Sequence, residues 1–446
     1  MASTYLTRTP SSTGNRKIFT ISAWIKRSKT GNNQKVITAG TSGTEGGLQF
    51  STGTGENCLK FYEYVGSEVI GIAPNRILRD TSGWYHVVIA VDTTQATASN
   101  RVKYYLNGVQ ETSFATATYP SQNYDTLFNN SGTANTIGFL IGHSAYFDGL
   151  MSHINFVDGT AYDASAFGST DATTGEWKIN TSPSVTYGTN GFFILKDGNS
   201  VTDQSGNSNN FTVGGGTLTD TKDNPSNVFA TWNSLAKLNA TISLIYGNTT
   251  SSTTTGSWKS LTGTIGASTG KYYFEAKPEV SNYSVLGIVN DKLINPTTDG
   301  GFAFTNQWSY GYKMYDGSLV YYEGDGGGNQ SSYGSTVSTG QVVGVAVDLD
   351  NSKLYFSING VWQNSGDPTS GSTGTGAFSI QSGETYVPAI SQLASSGNPT
   401  LHLNFGNGYF GTTAVATEGT NASGNGIFEY DVPTGYTALS TKGLNL

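Results

Sequence analysis

Few side chains in this 446-residue chain could do chemistry, and their spacing argues against most of it. The four histidines, His86, His143, His153 and His402, are scattered through apolar, strand-like runs. None has a second ligand-type residue at the short spacing that metal sites use, so strand packing is the reading adopted. The single cysteine, Cys58, excludes an intrachain disulfide and reads as a small apolar residue on a strand. Gly266-Ala267-Ser268-Thr269-Gly270 spells a nucleophile elbow, but an elbow needs a helix behind it and here the strand-like Tyr272-Tyr273-Phe274 follows. Gly406-Asn407-Gly408-Tyr409-Phe410-Gly411 spells a dinucleotide fingerprint with no helix to follow. Both sets read as turn glycines.

The elements that must position any site are strands and turns. Charged residues make up 12%, about half the usual share of a soluble domain, and aromatics reach 12%. No segment carries long-helix composition at a 3.6-residue period, whereas aromatic and β-branched runs alternate with Gly, Asn, Ser and Thr. Ile18–Lys26 alternates apolar with small polar residues and predicts a strand with one buried face. Trp84–Asp92 predicts a central strand, and Phe139–Gly142 and Leu150–Val157 two more. Arg101–Leu106, Asn107-Gly108 and Val109-Gln110 predict a hairpin, because Asn-Gly tolerates the positive φ of a type I′ turn. Val342–Leu349, Leu354–Ile358 and Asn359-Gly360 repeat the device in the second half.

The length predicts two or three domains. The net charge of −8 is unevenly placed: residues 1–165 hold 12 basic and 11 acidic side chains, residues 166–446 hold 11 and 20. No acid precedes Glu45, so residues 1–44 carry seven positive charges. They read as a solvated sheet edge or as a face that docks on an acidic partner, with Arg16, Lys17, Lys26 and Arg27 the candidate assembly contacts. Nucleic acid is disfavoured as a ligand by the net acidity and the lack of a reader motif. Neither a signal-peptide run nor a membrane span is visible, which predicts a chain made in the cytoplasm with no membrane insertion.

The order of FTISAWIKR, GWYHVVIAVD, VKYYLNGV and IGHSAYFDGLMSHINFVDGTAY over residues 1–165 resembles laminin-G/concanavalin A-like jelly-roll domains. GKYYFEAKPEV, VLGIVN, QVVGVAVDLDNSKLYFSINGVWQ, YVPAIS and LHLNFGNGYF within residues 236–446 resemble a SPRY domain. Residues 166–235, rich in Ser, Thr, Asn and Asp, read as an ordered bridge. The stretch from Phe156 through DQSGNSNNFTV, and the closing DVPTGYTALSTKGL, are similar to segments of virion proteins of marine tailed bacteriophages. The fold class implied is all-β, two consecutive antiparallel β-sandwiches.

These resemblances imply loops that bind. Concanavalin-like domains often hold calcium and sugars at one rim, which makes Asp92 and Asp148 weak metal candidates; turn stabilisation is the preferred role, with no cofactor. The superfamily also hosts glycoside hydrolases, one large group of which uses Glu-x-Asp-x-x-Glu on a strand to aim two carboxylates into the cleft. Glu429-Tyr430-Asp431 comes nearest, but Thr434 replaces the last acid. In the SPRY-like half, Trp308, Tyr310, Tyr312 and Tyr315 fall in a Tyr- and Trp-dense stretch, Phe304–Tyr322. Alternation places the first three on one face, either filling the core or forming a platform for a sugar or partner. Gly324–Gly328 and Gly371–Gly376 read as loop tips. The expectation is a non-enzymatic virion surface protein, a tail fibre or appendage, binding host-surface glycan or protein. It would assemble with other virion proteins and with its own copies, for instance as a trimer. A structural decoration protein and a polysaccharide-degrading enzyme are the alternatives.

Overall fold

The structure, a computed structural model, describes all residues except 1–2, 32, 52–56, 197–199, 239–241, 281–282, 292–307, 325–327, 396 and 446. The chain divides into two units, Met1–Asp220 with Asn224–Ser226, and Thr221–Asp223 with Asn227–Leu446. Each has two large, mainly antiparallel sheets around its own apolar core.

In the first unit, eight strands pair in the order Phe114–Thr118, Glu68–Pro74, Leu59–Val65, Thr44–Phe50, Gln34–Thr41, Asn135–Ile137, Tyr5–Arg8, Thr212–Gly215. Six pair in the order Phe192–Ile194, Gly149–Asp158, Ile18–Arg27, Tyr85–Asp92, Val102–Leu106, Val109–Gln110. Side chains alternate across each strand, so Phe19, Ile21, Ala23 and Ile25 face Ile37, Leu48, Phe61 and Ile72 across the core. The expected strand at Phe139–Gly142 is reduced to a single bridge at Ile141. Gly138 and Gly142 both take positive φ, and Phe147 N–H bonds back to Gly138, which turns the chain out of the sheet.

Ile18–Arg27 is buried on both faces, although its alternation predicted one. The other face of the six-stranded sheet is covered by residues 162–187, with Tyr162, Phe167, Trp177, Val185 and Tyr187 packed on Val88, Ala90, Tyr105 and Val157. Much of the stretch read as a bridge therefore belongs to the first unit. Phe192–Ile194 extends one sheet and Thr212–Gly215 extends the other.

His86 lies under this cover. Its ring stacks on Trp24 at 4.6 Å and on Trp177 at 6.0 Å. Nδ1 lies 3.0 Å from Trp177 Nε1–H, which donates to it, and Nε2 lies 2.9 Å from Ser22 Oγ. A neutral ring satisfies both, and burial, with His153 adding repulsion, pushes its pKa down to about 3. Trp177 in turn lies against two glycines: a Cβ at Gly108 or Gly168 would come within 2.3 and 2.6 Å of the indole.

The second unit pairs seven strands in the order Trp232–Leu238, Lys259–Gly263, Tyr386–Gln392, Ser284–Asn290, Ser309–Lys313, Ser318–Tyr322, Asn329–Ser332. The facing sheet has nine, centred on Lys271–Pro278, Val343–Asp348 and Lys353–Ile358; Thr437–Ala438 joins Lys271–Pro278 in parallel. Both expected Asn-Gly hairpins form in the same way. Asn107 and Gly108 have φ of 46° and 79°, Asn359 and Gly360 have 47° and 78°. Each asparagine exchanges two hydrogen bonds with the strand opposite. Its N–H donates to the carbonyl of His86 or Val342, and its Oδ1 accepts that residue's N–H at 2.8 Å. No helix among the described residues is long and apolar enough to cross a membrane.

Two outcomes follow. Gly108→Ala should destabilise the first unit by about 1–3 kcal/mol, from an unfavourable φ and the clash with Trp177, seen as a lower denaturation midpoint by tryptophan fluorescence. His86 is neutral in the folded unit, while the unfolded chain takes up its proton below pH 6.5. Its contribution therefore lowers stability by about 1.4 kcal/mol per pH unit on acidification from 6.5 towards 3. Denaturant titrations at pH 7 and pH 5 should show this increment in the native chain and lose it in His86→Gln.

Candidate functional site

The aromatic stretch of the second unit is split by the sheet. Ser309–Lys313 sends Tyr310 and Tyr312 inward, where both are fully buried. Tyr310 oxygen accepts the Gln381 N–H at 2.9 Å, and Tyr312 hydroxyl donates to the Ser335 carbonyl while its ring stacks on Phe356 at 5.1 Å. Of the two readings offered by alternation, these rings take the core, so neither is available as a platform. Trp308 is half-buried against the same core, and residues 304–307 lie outside the described residues.

Tyr315 is different. It follows the strand, half-exposed, and stacks on Tyr283 at 4.7 Å with only 4° between the planes; Trp258 lies 6.1 Å away. Below the rings of Trp258 and Tyr315 lie Val285, Val289, Val320 and Ala389, on the sheet face opposite to Tyr310 and Tyr312. Lys313 Nζ stands 4.9 Å over the Tyr315 ring, 2.6 Å from Asp316 and 3.2 Å from Gln330 Oε1. Partial desolvation would lower the lysine pKa, but Asp316 and Tyr315 outweigh it and hold it above the ordinary value. The result is a half-exposed aromatic cluster beside a fixed ion pair, an arrangement suited to flat apolar faces edged with hydroxyls or charges. Sequence reasoning found Tyr315 and missed Trp258 and Tyr283, which lie 57 and 32 positions away and meet it only through sheet pairing.

The basic residues do not form one face. Lys26 and Arg27 are buried, at 2% and 1% exposure, which corrects their assignment as assembly contacts. Arg27 stacks 3.8 Å over Phe50 and donates to Leu78 carbonyl and Asn57. Arg16 donates to the carbonyls of Thr126 and Asp125, tying down a loop, and Lys17 is half-buried beside it. Lys35 is buried as well, its pKa lowered to about 8 by desolvation and partly restored by Glu45.

The acidic candidates cannot share an ion. Asp92 pairs with Ile18 at one end of the Ile18–Arg27 strand, while Asp148 precedes Gly149, which pairs with Arg27 at the other. Nine residues of strand separate these ends by about 30 Å. Asp92 accepts from Thr94 and Gln95, which against partial burial hold its pKa low, and Asp148 pairs with Lys29 at 3.1 Å. Among the described residues, no three His, Cys, Asp or Glu side chains converge.

The remaining chemistry is structural in its geometry. Glu429-Tyr430-Asp431 lies in a bend, and its backbone is held by a buried carboxylate from another element. Glu275, fully buried, accepts from Glu429 N–H at 2.9 Å, Tyr430 N–H at 2.8 Å, Tyr273 hydroxyl and Asn404 Nδ2 at 3.2 Å. Desolvation pushes its pKa up to about 7 against these four donors. Asn404 Oδ1 accepts from Gly406 and Gly408 N–H, so the apparent dinucleotide loop is filled by its own chain. Thr250, His402 and Glu279 are hydrogen-bonded in series at 2.8 and 3.0 Å, but Thr250 is fully buried, out of reach of a substrate. Cys58 is buried, with its thiol pKa raised to about 11. Gly371, Gly374 and Gly376 take positive φ in a tight turn capped by Asp367.

Comparison with known proteins agrees with this architecture. Residues 2–166 match the concanavalin A-like lectin/glucanases superfamily, and residues 271–408 match the SPRY domain. Three solved structures resemble part of the chain. The SPRY domain of human HERC1 is 15% identical and covers 39% of this chain and 96% of its own, at a TM-score of 0.30. The TRIM65 PSpry domain is 15% identical, covering 39% and 88% at 0.28, and a human SPRY domain is 20% identical, covering 36% and 94% at 0.26. No curated protein matches the chain. By the family matches, the chain carries a concanavalin A-like domain over residues 2–166, followed by a SPRY domain over residues 271–408.

Glu275→Gln replaces an acceptor with an amide N–H₂ that faces two N–H donors. It should lower the stability of the second unit by about 1–3 kcal/mol at pH 8. In the native chain Glu275 holds a proton between pH 4.5 and about 7 that the unfolded chain releases, so its contribution to stability falls as pH rises through that window. Denaturant midpoints at pH 5 and pH 8 should show this slope, and Glu275→Gln should abolish it.

Proposed function

We propose that this protein is a non-enzymatic surface component of a tailed-phage particle that binds a host-surface glycan or protein through its SPRY domain. The observation that carries the reading is the half-exposed cluster of Trp258, Tyr283 and Tyr315 beside the Lys313–Asp316 pair. Aromatic rings over an apolar floor stack on the flat faces of sugars or accept an apolar anchor from a protein, and the ion pair orients hydroxyls or charges at their edge. The segments similar to phage virion proteins, and the lack of a paired acid for the Glu-x-Asp-x-x-Glu pattern, supply the context and the non-enzymatic character. The polymer is bound and not cut. Homo-oligomers and contacts with other virion proteins belong to the same reading, with no cofactor and no nucleic acid.

The test is retention of the full chain on immobilised host envelope polysaccharide, followed by sizing of the polymer. Retention without shortening is expected, with Trp258→Ala and Tyr315→Ala each weakening it at least tenfold at unchanged melting temperature, and Arg101→Ala leaving it intact. Shortening of the polymer would replace this reading with an enzymatic one. Absence of retention, with the chain found in labelled virions, would leave a purely structural decoration role.

A further inference from the structure

A β-bulge aims one lysine out of the first unit's core. The pairing of Gln34–Thr41 with Thr44–Phe50 shifts register between Lys35 and Ile37. Val36 and Ile37 therefore both enter the core, and Lys35 turns to the outer face of the sheet. Leu48, Phe50 and Phe61 are core residues, which puts their neighbours Gln49 and Tyr62 on that same outer face. Gln49 is the direct cross-strand partner of Lys35.

Three side chains meet the lysine amine there. Nζ donates to Gln49 Oε1 and, at 2.6 Å, to the Tyr62 oxygen. The Tyr62 hydroxyl donates in turn to Glu45 Oε1 at 3.5 Å, and the same carboxylate oxygen lies 3.9 Å from Nζ. Lys35 is 2% exposed and Tyr62 4%, with the amine 4.6 Å over the Tyr62 ring, so little water reaches it. Desolvation brings the lysine pKa down to about 8 against the pull of Glu45, while burial beside that carboxylate keeps the Tyr62 hydroxyl protonated. An amine that gives up a proton easily is thus packed against an amide carbonyl. Groups fixed in this way react as though at about 10⁵–10⁸ M.

We infer that Lys35 and Gln49 join as an isopeptide, a covalent tie between the two strands that forms without an enzyme. Nζ passes one proton through the Tyr62 hydroxyl to Glu45, and the freed lone pair attacks Gln49 Cδ. The Cδ–Nε2 bond breaks as the Nζ–Cδ bond is completed, and Nε2 leaves as ammonia with the proton that Glu45 carried. The surplus proton on Nζ follows through Glu45, so the chain loses one ammonium ion and Glu45 ends as a carboxylate. Nothing is oxidised or reduced, and no water is consumed. The second unit holds a contrast. Lys313 Nζ lies 3.2 Å from Gln330 Oε1, but it is also 2.6 Å from Asp316. There desolvation is outweighed by Asp316 and Tyr315, and the amine stays charged, with no lone pair to react. The inference concerns the first unit alone and does not depend on the Trp258 cluster.

Mass spectrometry of the denatured full chain, before and after incubation of the folded protein at pH 8, tests it. The incubated chain should weigh less than its sequence by one ammonia. No Lys or Arg other than Lys35 lies between Lys29 and Lys60. Trypsin should therefore leave Lys35 uncut and release residues 30–60 as one peptide that carries the loss, with Lys313 and Gln330 unlinked. Lys35→Met should abolish the loss. Glu45→Gln should slow it by about 10²-fold or more at an unchanged melting temperature. Cleavage after Lys35 with both fragments at full sequence mass would overturn the inference, as would a bond at Lys313–Gln330 in its place. Loss of water in place of ammonia would put the bond on Glu45 and overturn it too, and so would formation at the native rate in Glu45→Gln.

Discussion

Backbone N–H groups that are buried outside the sheets govern how this chain is built. Strands satisfy one another, but the chain laid over them and around their ends has no ladder to join, and a buried N–H left unpaired is costly. Here single side chains take that part. Asp158 accepts from Asn15 and Asn190 N–H and from Asn129, joining three separate segments. Asp203 collects three more N–H groups from the Phe193 strand and the loop after it. Glu63 holds Leu127 N–H and Tyr124, and Glu275 holds the Glu429–Tyr430 backbone. The abundance of Asn, Asp, Ser and Thr in the irregular stretches is the compositional trace of this need.

The same constraint explains why candidate functional motifs turned into scaffolding. DQSGNSNN is distinctive because Asp203, Ser205, Asn207 and Asn209 all bind backbone nearby, with Asn207 and Asn209 both reaching the Gly191 carbonyl. The Glu429–Asp431 pair belongs to a bend pinned by Glu275, with Asp431 itself accepting from Thr420. A carboxylate in such a place is spent on geometry. The side chains free to meet a ligand are those whose neighbours leave them donors, acceptors or ring edges to spare.

Much of the fold was legible from local pattern. The Ile18 and Tyr85 strands, both Asn-Gly hairpins and the two-sandwich plan follow from period-two alternation and turn chemistry, which act over a few residues. What the pattern could not carry was the second side of each sheet. Ile18–Arg27 shows a polar face of Thr20, Ser22, Trp24 and Lys26, yet the chain after residue 160 buries it. Alternation put Tyr310 and Tyr312 on one face correctly, but choosing core over solvent needed the partner sheet. Trp258, Tyr283 and Tyr315 gave no signal as a group, since the pairing of distant strands brings them together.

The two hairpin turns have a consequence for the lifetime of the molecule. Asn-Gly is the dipeptide in which the following nitrogen most readily attacks the side-chain amide carbon, losing ammonia through a cyclic imide. In both turns the asparagine carboxamide is held in a hydrogen bond to the opposite strand, from His86 N–H or Val342 N–H. Ring closure must first break that bond and move a backbone set at positive φ against a packed ring, Trp177 in one unit and Tyr430 in the other. The lock that fixes strand register thereby slows the chemical ageing of these two asparagines among the chain's five Asn-Gly pairs.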